Sequence, residues 1–197
     1  GSGGGIRSLK DKIVDFGGSD AYLSDKEMSE MPAAVIHIPT CMGAVVLAYN
    51  LPGVDNLKLT GEIVADIYLG KITKWNDSRI AAINPGVNLP DKDMSPVYRS
   101  DGSGTTFVFS DYMTKISPEW AEKIGTGKSL KWPAGMAAKG NPGVAGVISQ
   151  TVGSIGYVGS EYAFAMKIQF AQMKNAAGKF INPNTESISA AAKGDMP

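Results

Sequence analysis

An α/β fold with a largely parallel sheet is predicted by three observations. Short runs of branched apolar residues, "GAVVLAYN" at 43–50, "SPVYR" at 95–99 and "SIGYVG" at 154–159, have the length and composition of strands. Segments of helical periodicity lie between them, several opening on a hydroxyl or carboxylate cap and closing on glycine. The 197 residues, 43% of them hydrophobic, suffice to bury a core in one large domain or two small lobes. Strands alternating with helices are the pattern of a parallel sheet with helical crossovers.

The elements follow in chain order. Ile6, Leu9, Ile13 and Phe16 recur at helical spacing and predict a helix from about 5 to 14. "FGGSD" breaks it and leaves Asp20 on a loop, where base rates make it a turn or cap residue. "AAVIHIP" (33–39) and "GAVVLAYN" (43–50) read as buried strands, the second ended by a turn at Asn50, Pro52 and Gly53. Thr60 is placed to cap a helix over "GEIVADIYL", with Gly70 at its C′ position, and a short helix follows from Asp77 to Ile83. After the strand at 95–99, "GTTFVFSDYMTKI" puts Phe107, Tyr112 and Ile116 on a helical stripe. "SPEWAEKIG" repeats cap, Pro at N1 and closing Gly from Ser117 to Gly125. A helix over 140–152 and the strand at 154–159 complete the series, with no internal repeat and no low-complexity linker.

Composition narrows the function classes. Nineteen basic residues balance nineteen acidic ones without a Lys/Arg block, which argues against nucleic acid and against a polybasic membrane patch. No apolar run approaches the roughly 20 residues of a spanning helix. Cys41 and His37 are the sole Cys and His, too little for a disulfide framework, a thiolate metal cluster or a His-based triad, so neither metal nor cofactor is expected. The chain opens on "GSGGG" without Met, leaving room for a leader upstream.

The most informative stretch is "PVYRSDGSGTTF". Backbone amides at a Gly-rich strand-to-helix turn, with the free N–H groups of the helix start, concentrate partial positive charge. Ser103 and Thr105 add hydroxyls, Gly104 permits close approach, and Arg99 supplies a planar fork suited to two oxygens of a tetrahedral oxyanion. Asp101, two residues on, is placed to brace the guanidinium. The spacing is neither a Walker A loop nor a dinucleotide fingerprint. Taken alone, "DGSGT" reads equally well as a capped turn with a surface Arg99–Asp101 pair; "GSGGGI", which also leads into a helix, reads better as a linker.

The motifs "GSGGGI", "VDFGGSDAYLSD", "DIYLGKITKWND", "RSDGSGTTF", "LKWPAG" and "GSIGYV" resemble, in order and spacing over essentially the whole chain, the PstS-type phosphate-binding proteins. These are the substrate-binding components of phosphate ABC transporters. The resemblance implies a periplasmic-binding-protein-like (type II) fold, two α/β lobes joined by a hinge and closing on one phosphate. Ser2 and Asp20 then match phosphate-binding positions of one lobe, and Arg99, Ser103, Gly104 and Thr105 those of the other, with Asp101 holding the arginine. No functional role attaches to Cys41, expected as a buried, inert thiol.

The chain departs from the family in two places. No match to the family's opening strand and Thr-Phe turn is present, and "AAKGDMP" stops short of the segment that returns to the first lobe. Residues 1–43 are therefore expected to be a partial first lobe and 44–197 the second, truncated at both ends.

The function implied is extracytoplasmic capture of inorganic phosphate, without catalysis, and delivery to a membrane permease. The complete protein is expected to be a monomer in the periplasm or at the outer face of the membrane. Alternatives are uptake of another oxyanion (sulfate, molybdate, a phosphonate) or hydrolysis of a phosphate ester. Asp20 speaks against sulfate, which carries no proton for a carboxylate to accept. Ester hydrolysis lacks an activating group near Ser103 in sequence.

Overall fold

The computed structural model describes residues 1–193. Helix α1 (Ser2–Lys10) and the one-turn α2 (Asp25–Ser29) precede β1 (Val45–Tyr49), β2 (Lys58–Leu59), α3 (Gly61–Tyr68) and α4 (Ser78–Ile83). Strand β3 (Ser95–Arg99) leads into α5 (Gly104–Ile116), α6 (Pro118–Lys123), β4 (Met136–Ala138) and α7 (Gly140–Gln150). The rest is β5 (Ser154–Gly159), α8 (Ser160–Ala165), β6 (Gln169–Phe170), β7 (Gln172–Lys174), β8 (Phe180–Ile181) and α9 (Thr185–Ala191).

The caps read from sequence are in place. The side chains of Thr60, Asp77, Ser103 and Ser117 accept backbone N–H bonds at the starts of α3, α4, α5 and α6. Two further capping boxes, Ser24 with Glu27 and Asn184 with Ser187, open α2 and α9.

Five strands form the central sheet in the order β4-β3-β5-β1-β6. Strand β3 runs parallel to both β4 and β5, whereas β1 is antiparallel to β5 and to β6, so the expected largely parallel sheet is a mixed one. The reason is topological: β1, early in the chain, lies beside the late β5 in the opposite sense, and the β5–β1 register runs from Val45 opposite Gly159 to Tyr49 opposite Ile155. A separate three-stranded sheet, β2-β7-β8, shares a core with it through Leu59 and Met173.

Side-chain alternation sends β1 into two cores. Leu47 and Tyr49 join a cluster with Ile155, Tyr157, Phe109, Met113 and Trp120, while Val46 and Ala48 join Val97, Val144, Ile148 and Val158 on the other face. Phe109 stacks on Tyr157 with ring centroids 4.4 Å apart and planes 12° from parallel, fixing α5 against β5. The buried stripe of α5 is Thr106, Phe109, Ser110 and Met113, not the expected Phe107, Tyr112 and Ile116. Two hydroxyls occupy that i, i+3, i+4, i+7 face, so a reading by hydrophobicity alone passes over it.

Residues 1–43 differ from the rest. Helix α1 begins at Ser2, three residues before the expected start, and ends where Lys12 takes a left-handed φ of 57°. Ile13 and Phe16, expected on its apolar stripe, are 72% and 87% exposed. The run 33–39 is not a strand, and Ile36 and Ile38 are exposed: among the described residues no strand flanks it to satisfy its backbone. Cys41 is exposed as well, correcting the expectation of a buried thiol, because the segment around it packs into neither core. Ala21 and Leu23 are the buried apolar residues of this segment, and neither belongs to a core cluster.

Candidate functional site

The sheet delivers Arg99 to the end of β3, immediately before the N-terminus of α5. Its backbone N–H donates to the Tyr157 hydroxyl at 3.0 Å, and that hydroxyl also bonds Thr106 Oγ1 at 2.7 Å. Burial pushes the Tyr157 phenol up to about 12, against its hydrogen bonds with Thr106 and Arg99, so it stays neutral and serves as a strut between β3, β5 and α5.

The Arg99 side chain is 3% exposed, which removes the reading of a surface ion pair. Its Nε and Nη2 donate to Asp101 Oδ1 and Oδ2 at 2.8 and 2.7 Å, a bidentate fork. Asp101 Oδ1 accepts a further bond from Gly140 N at 3.0 Å. The Arg99 bonds, outweighing burial and helped by Gly140, hold the Asp101 carboxyl far below the usual carboxylate range. A buried guanidinium, braced by this carboxylate, thus faces the start of α5.

Three more of the expected residues sit on that helix start. Ser103 is fully buried; its Oγ accepts from Thr106 N at 3.0 Å, which caps α5 while leaving the hydroxyl proton to donate. Thr105, 3% exposed, accepts from Arg99 Nη1 at 3.4 Å and reaches Asp20 Oδ2 at 3.5 Å. These are long bonds that a ligand oxygen could replace at little cost.

Gly104 is where the N-terminal segment meets this loop. A β-carbon there would lie 2.4 Å from Ser2 Oγ and 2.7 Å from Asp20 Cβ. Ser2 Oγ accepts from Asp20 N at 3.1 Å, and Gly3 N donates to Gly102 O at 2.9 Å. Ser2 and Asp20 are thus brought against Arg99, Asp101, Ser103, Gly104 and Thr105, although 18 residues separate the first two and about 80 separate Asp20 from the loop.

The docking is reinforced beside the site. Lys128 donates to both carboxylate oxygens of Glu27 at 2.8 and 2.7 Å, its ammonium lies 5.8 Å from the Phe107 ring centroid, and its carbonyl accepts from Ser103 N at 2.9 Å. Tyr22 meets Phe107 edge-on at 5.6 Å. Burial alone would raise the Glu27 pKa, but the bonds from Lys128 and Ser24 prevail and hold it below its ordinary value.

Sequence reasoning missed Asn141, Lys128 and the Tyr157–Thr106 strut. For Asn141 the one local signal is "GNPG" directly after a short apolar run, legible as a helix start and nothing more. For the others no local signal exists, since each acts across about 20 residues or more.

The family model described as a PBP superfamily domain matches residues 1–195. The chain is 48% identical over 194 residues to the phosphate-binding protein PstS of Xylella fastidiosa, covering 98% of this chain and 53% of that relative. It is 47% identical over 194 residues to PstS of Pasteurella multocida, covering 98% and 56%. The chain therefore spans about half the length of the curated relatives it matches. Among solved structures, a phosphate-bound putative phosphate ABC transporter substrate-binding protein from Clostridium perfringens superposes with a TM-score of 0.73. At 19% identity, covering 98% of this chain and 67% of that one, it speaks to fold alone.

Proposed function

The chain belongs to the PBP superfamily, and from that premise we propose that it captures inorganic phosphate outside the cytoplasm and hands it to the permease of an ABC transporter. The observation that carries this reading is the buried Arg99 guanidinium, braced by Asp101 at the N-terminus of α5 and faced by Ser2 and Asp20 from a different part of the chain. Arg99, Ser103, Gly104 and Thr105 supply donors to the anion: a guanidinium fork, two hydroxyls and the first N–H groups of the helix. Ser2 supplies another hydroxyl. Asp20 accepts the proton that phosphate still carries near neutral pH, and its charge disfavours sulfate, which has no such proton.

Residues 1–43 act as part of one lobe and 44–197 as the other, with closure bringing Ser2 and Asp20 onto the Arg99–Thr105 loop. Two features support that division: both core clusters lie beyond residue 43, and the apolar side chains of Ile13, Phe16, Ile36 and Ile38 are exposed on the N-terminal segment. The site binds without catalysing. His37 Nε2 accepts from Leu23 N instead of activating the Ser103 hydroxyl.

Calorimetric titration of a phosphate-stripped sample with phosphate, sulfate, molybdate and a phosphonate tests the reading. One phosphate bound per chain, with sulfate far weaker, is expected. Preference for another oxyanion would overturn the ligand assignment, and release of product from a phosphate ester would overturn the assignment as a binding protein.

A further inference from the structure

The guanidinium of Arg99 is held on two sides, and sequence reasoning accounts for only one of them. Asp101 takes Nε and Nη2; Nη1 donates to Asn141 Oδ1 at 3.0 Å, and the same oxygen lies 3.4 Å from Thr105 Oγ1. Arginine has donors only, so the amide oxygen of Asn141, not its nitrogen, must face it. The preceding residue completes the arrangement. Gly140, with φ of +71°, sends its N–H to Asp101 Oδ1 at 3.0 Å. Two consecutive residues at the start of α7 thus hold both members of the ion pair, and a left-handed φ that favours glycine sets the first of them.

Building on the anion-binding reading, we propose that Asn141 is a positioning residue for the anion, acting through Arg99 and Thr105. Of the five guanidinium N–H donors, Asp101 occupies two, Asn141 a third and Thr105, at 3.4 Å, a fourth, which leaves one on Nη2 for a ligand among the described residues and a second on Nη1 once the ligand displaces the long Thr105 contact. Bonds from Asp101 alone hold one edge of the plane; the bond to Asn141 anchors the opposite edge, so that the plane cannot tilt about the Asp101 fork, and it slows rotation about Cζ–Nη1. The same oxygen competes for the Thr105 proton, so the ligand displaces a 3.4 Å contact instead of desolvating a free hydroxyl.

Two readouts on Asn141→Ala and Asn141→Asp test this. The chain has three arginines, Arg7, Arg79 and Arg99, so its side-chain 15N spectrum is sparse and the Arg99 signals are assigned by their loss in Arg99→Lys. In Asn141→Ala, rotation at Nη1 of Arg99 is expected to accelerate while Nη2, held by Asp101, stays slow. The dissociation constant for inorganic phosphate should rise about tenfold with the melting temperature unchanged. Asn141→Asp, which keeps an oxygen acceptor, should retain slow Nη1 rotation. Unchanged affinity in Asn141→Ala overturns the proposal. So does an affinity loss with Nη1 rotation still slow, which would make Asn141 a direct ligand or a merely structural residue. If the unsubstituted protein binds no phosphate, the functional reading fails instead, and the rotation measurement still decides whether Asn141 holds Arg99.

Discussion

Replacing Gly104 by alanine adds one methyl group at the place where the N-terminal segment meets the anion loop. That β-carbon would sit 2.4 Å from Ser2 Oγ, 2.7 Å from Asp20 Cβ and 3.0 Å from Asp20 N. Ordinary contacts between such atoms lie near 3.5–4.0 Å, so roughly 1 Å must open between the two parts. Ser2 is tied to Asp20 N, so the serine cannot simply turn away. The response is undocking of residues 1–24 from α5, while both core clusters, to which Gly104 does not belong, stay intact. Overpacking of this kind costs about 1–3 kcal/mol. If that cost falls on the closed, ligand-holding arrangement, phosphate affinity drops about 5- to 150-fold. Gly4→Ala is the matched control: nothing lies within 4 Å of its β-carbon, and helix propensity favours alanine inside α1 by about 0.5–1 kcal/mol. Calorimetry gives the affinities, and hydrogen exchange locates any loosening. Gly104→Ala should weaken binding and speed exchange over residues 1–24 with the central sheet still protected; Gly4→Ala should do neither. Wild-type affinity in Gly104→Ala, or exchange accelerating equally across β3 and β5, would refute the reasoning.

Arg99→Lys should weaken phosphate binding by about 2–5 kcal/mol despite the retained charge, because a point-like ammonium cannot hold Asp101 in a fork and grip two ligand oxygens as well; an affinity within threefold would remove Arg99 from the site. Asp20→Asn should leave phosphate bound while sulfate gains relative to it, and an unchanged ratio in competition titration would reduce Asp20 to a turn residue. Tyr157→Phe strips the strut from the Arg99 N–H and Thr106 Oγ1 and should destabilise the fold by about 1–3 kcal/mol in denaturant titration; an unchanged midpoint would mean that the hydroxyl holds nothing. Glu27 is held below its ordinary pKa, so its contribution to docking is present above the usual glutamate range and is lost as pH falls through its depressed value. Exchange over α2 should therefore rise on acidification, and Lys128→Met should show that rise already at neutral pH; no difference between the two proteins would dissociate the ion pair from docking.

Elements whose cause is local were legible in the chain itself. Strands β3 and β5 and helix α5 occupy the residues that composition and capping indicate, because a Ser or Thr hydroxyl meets its N–H three residues on and needs no partner from elsewhere. The pairing of Arg99 with Asp101, two residues apart, is legible for the same reason. What needs a distant partner was decided only by the tertiary structure. The run 33–39 has strand composition but no neighbouring strand among the described residues, while β1 found one in the opposite sense to that expected. Burial turned Arg99 from half of a surface pair into an enclosed guanidinium, the charged centre of the proposed site. Ser2 and Asp20, a linker serine and a turn aspartate on local grounds, reach the proposed site by resting on Gly104, whose missing side chain makes room for them. Asn141 carries no chemistry in its own stretch of chain. Its proposed role follows from β3 and β4 running parallel and side by side, which sets the residues that follow each strand, Asp101 after one and Gly140 and Asn141 after the other, around a single guanidinium.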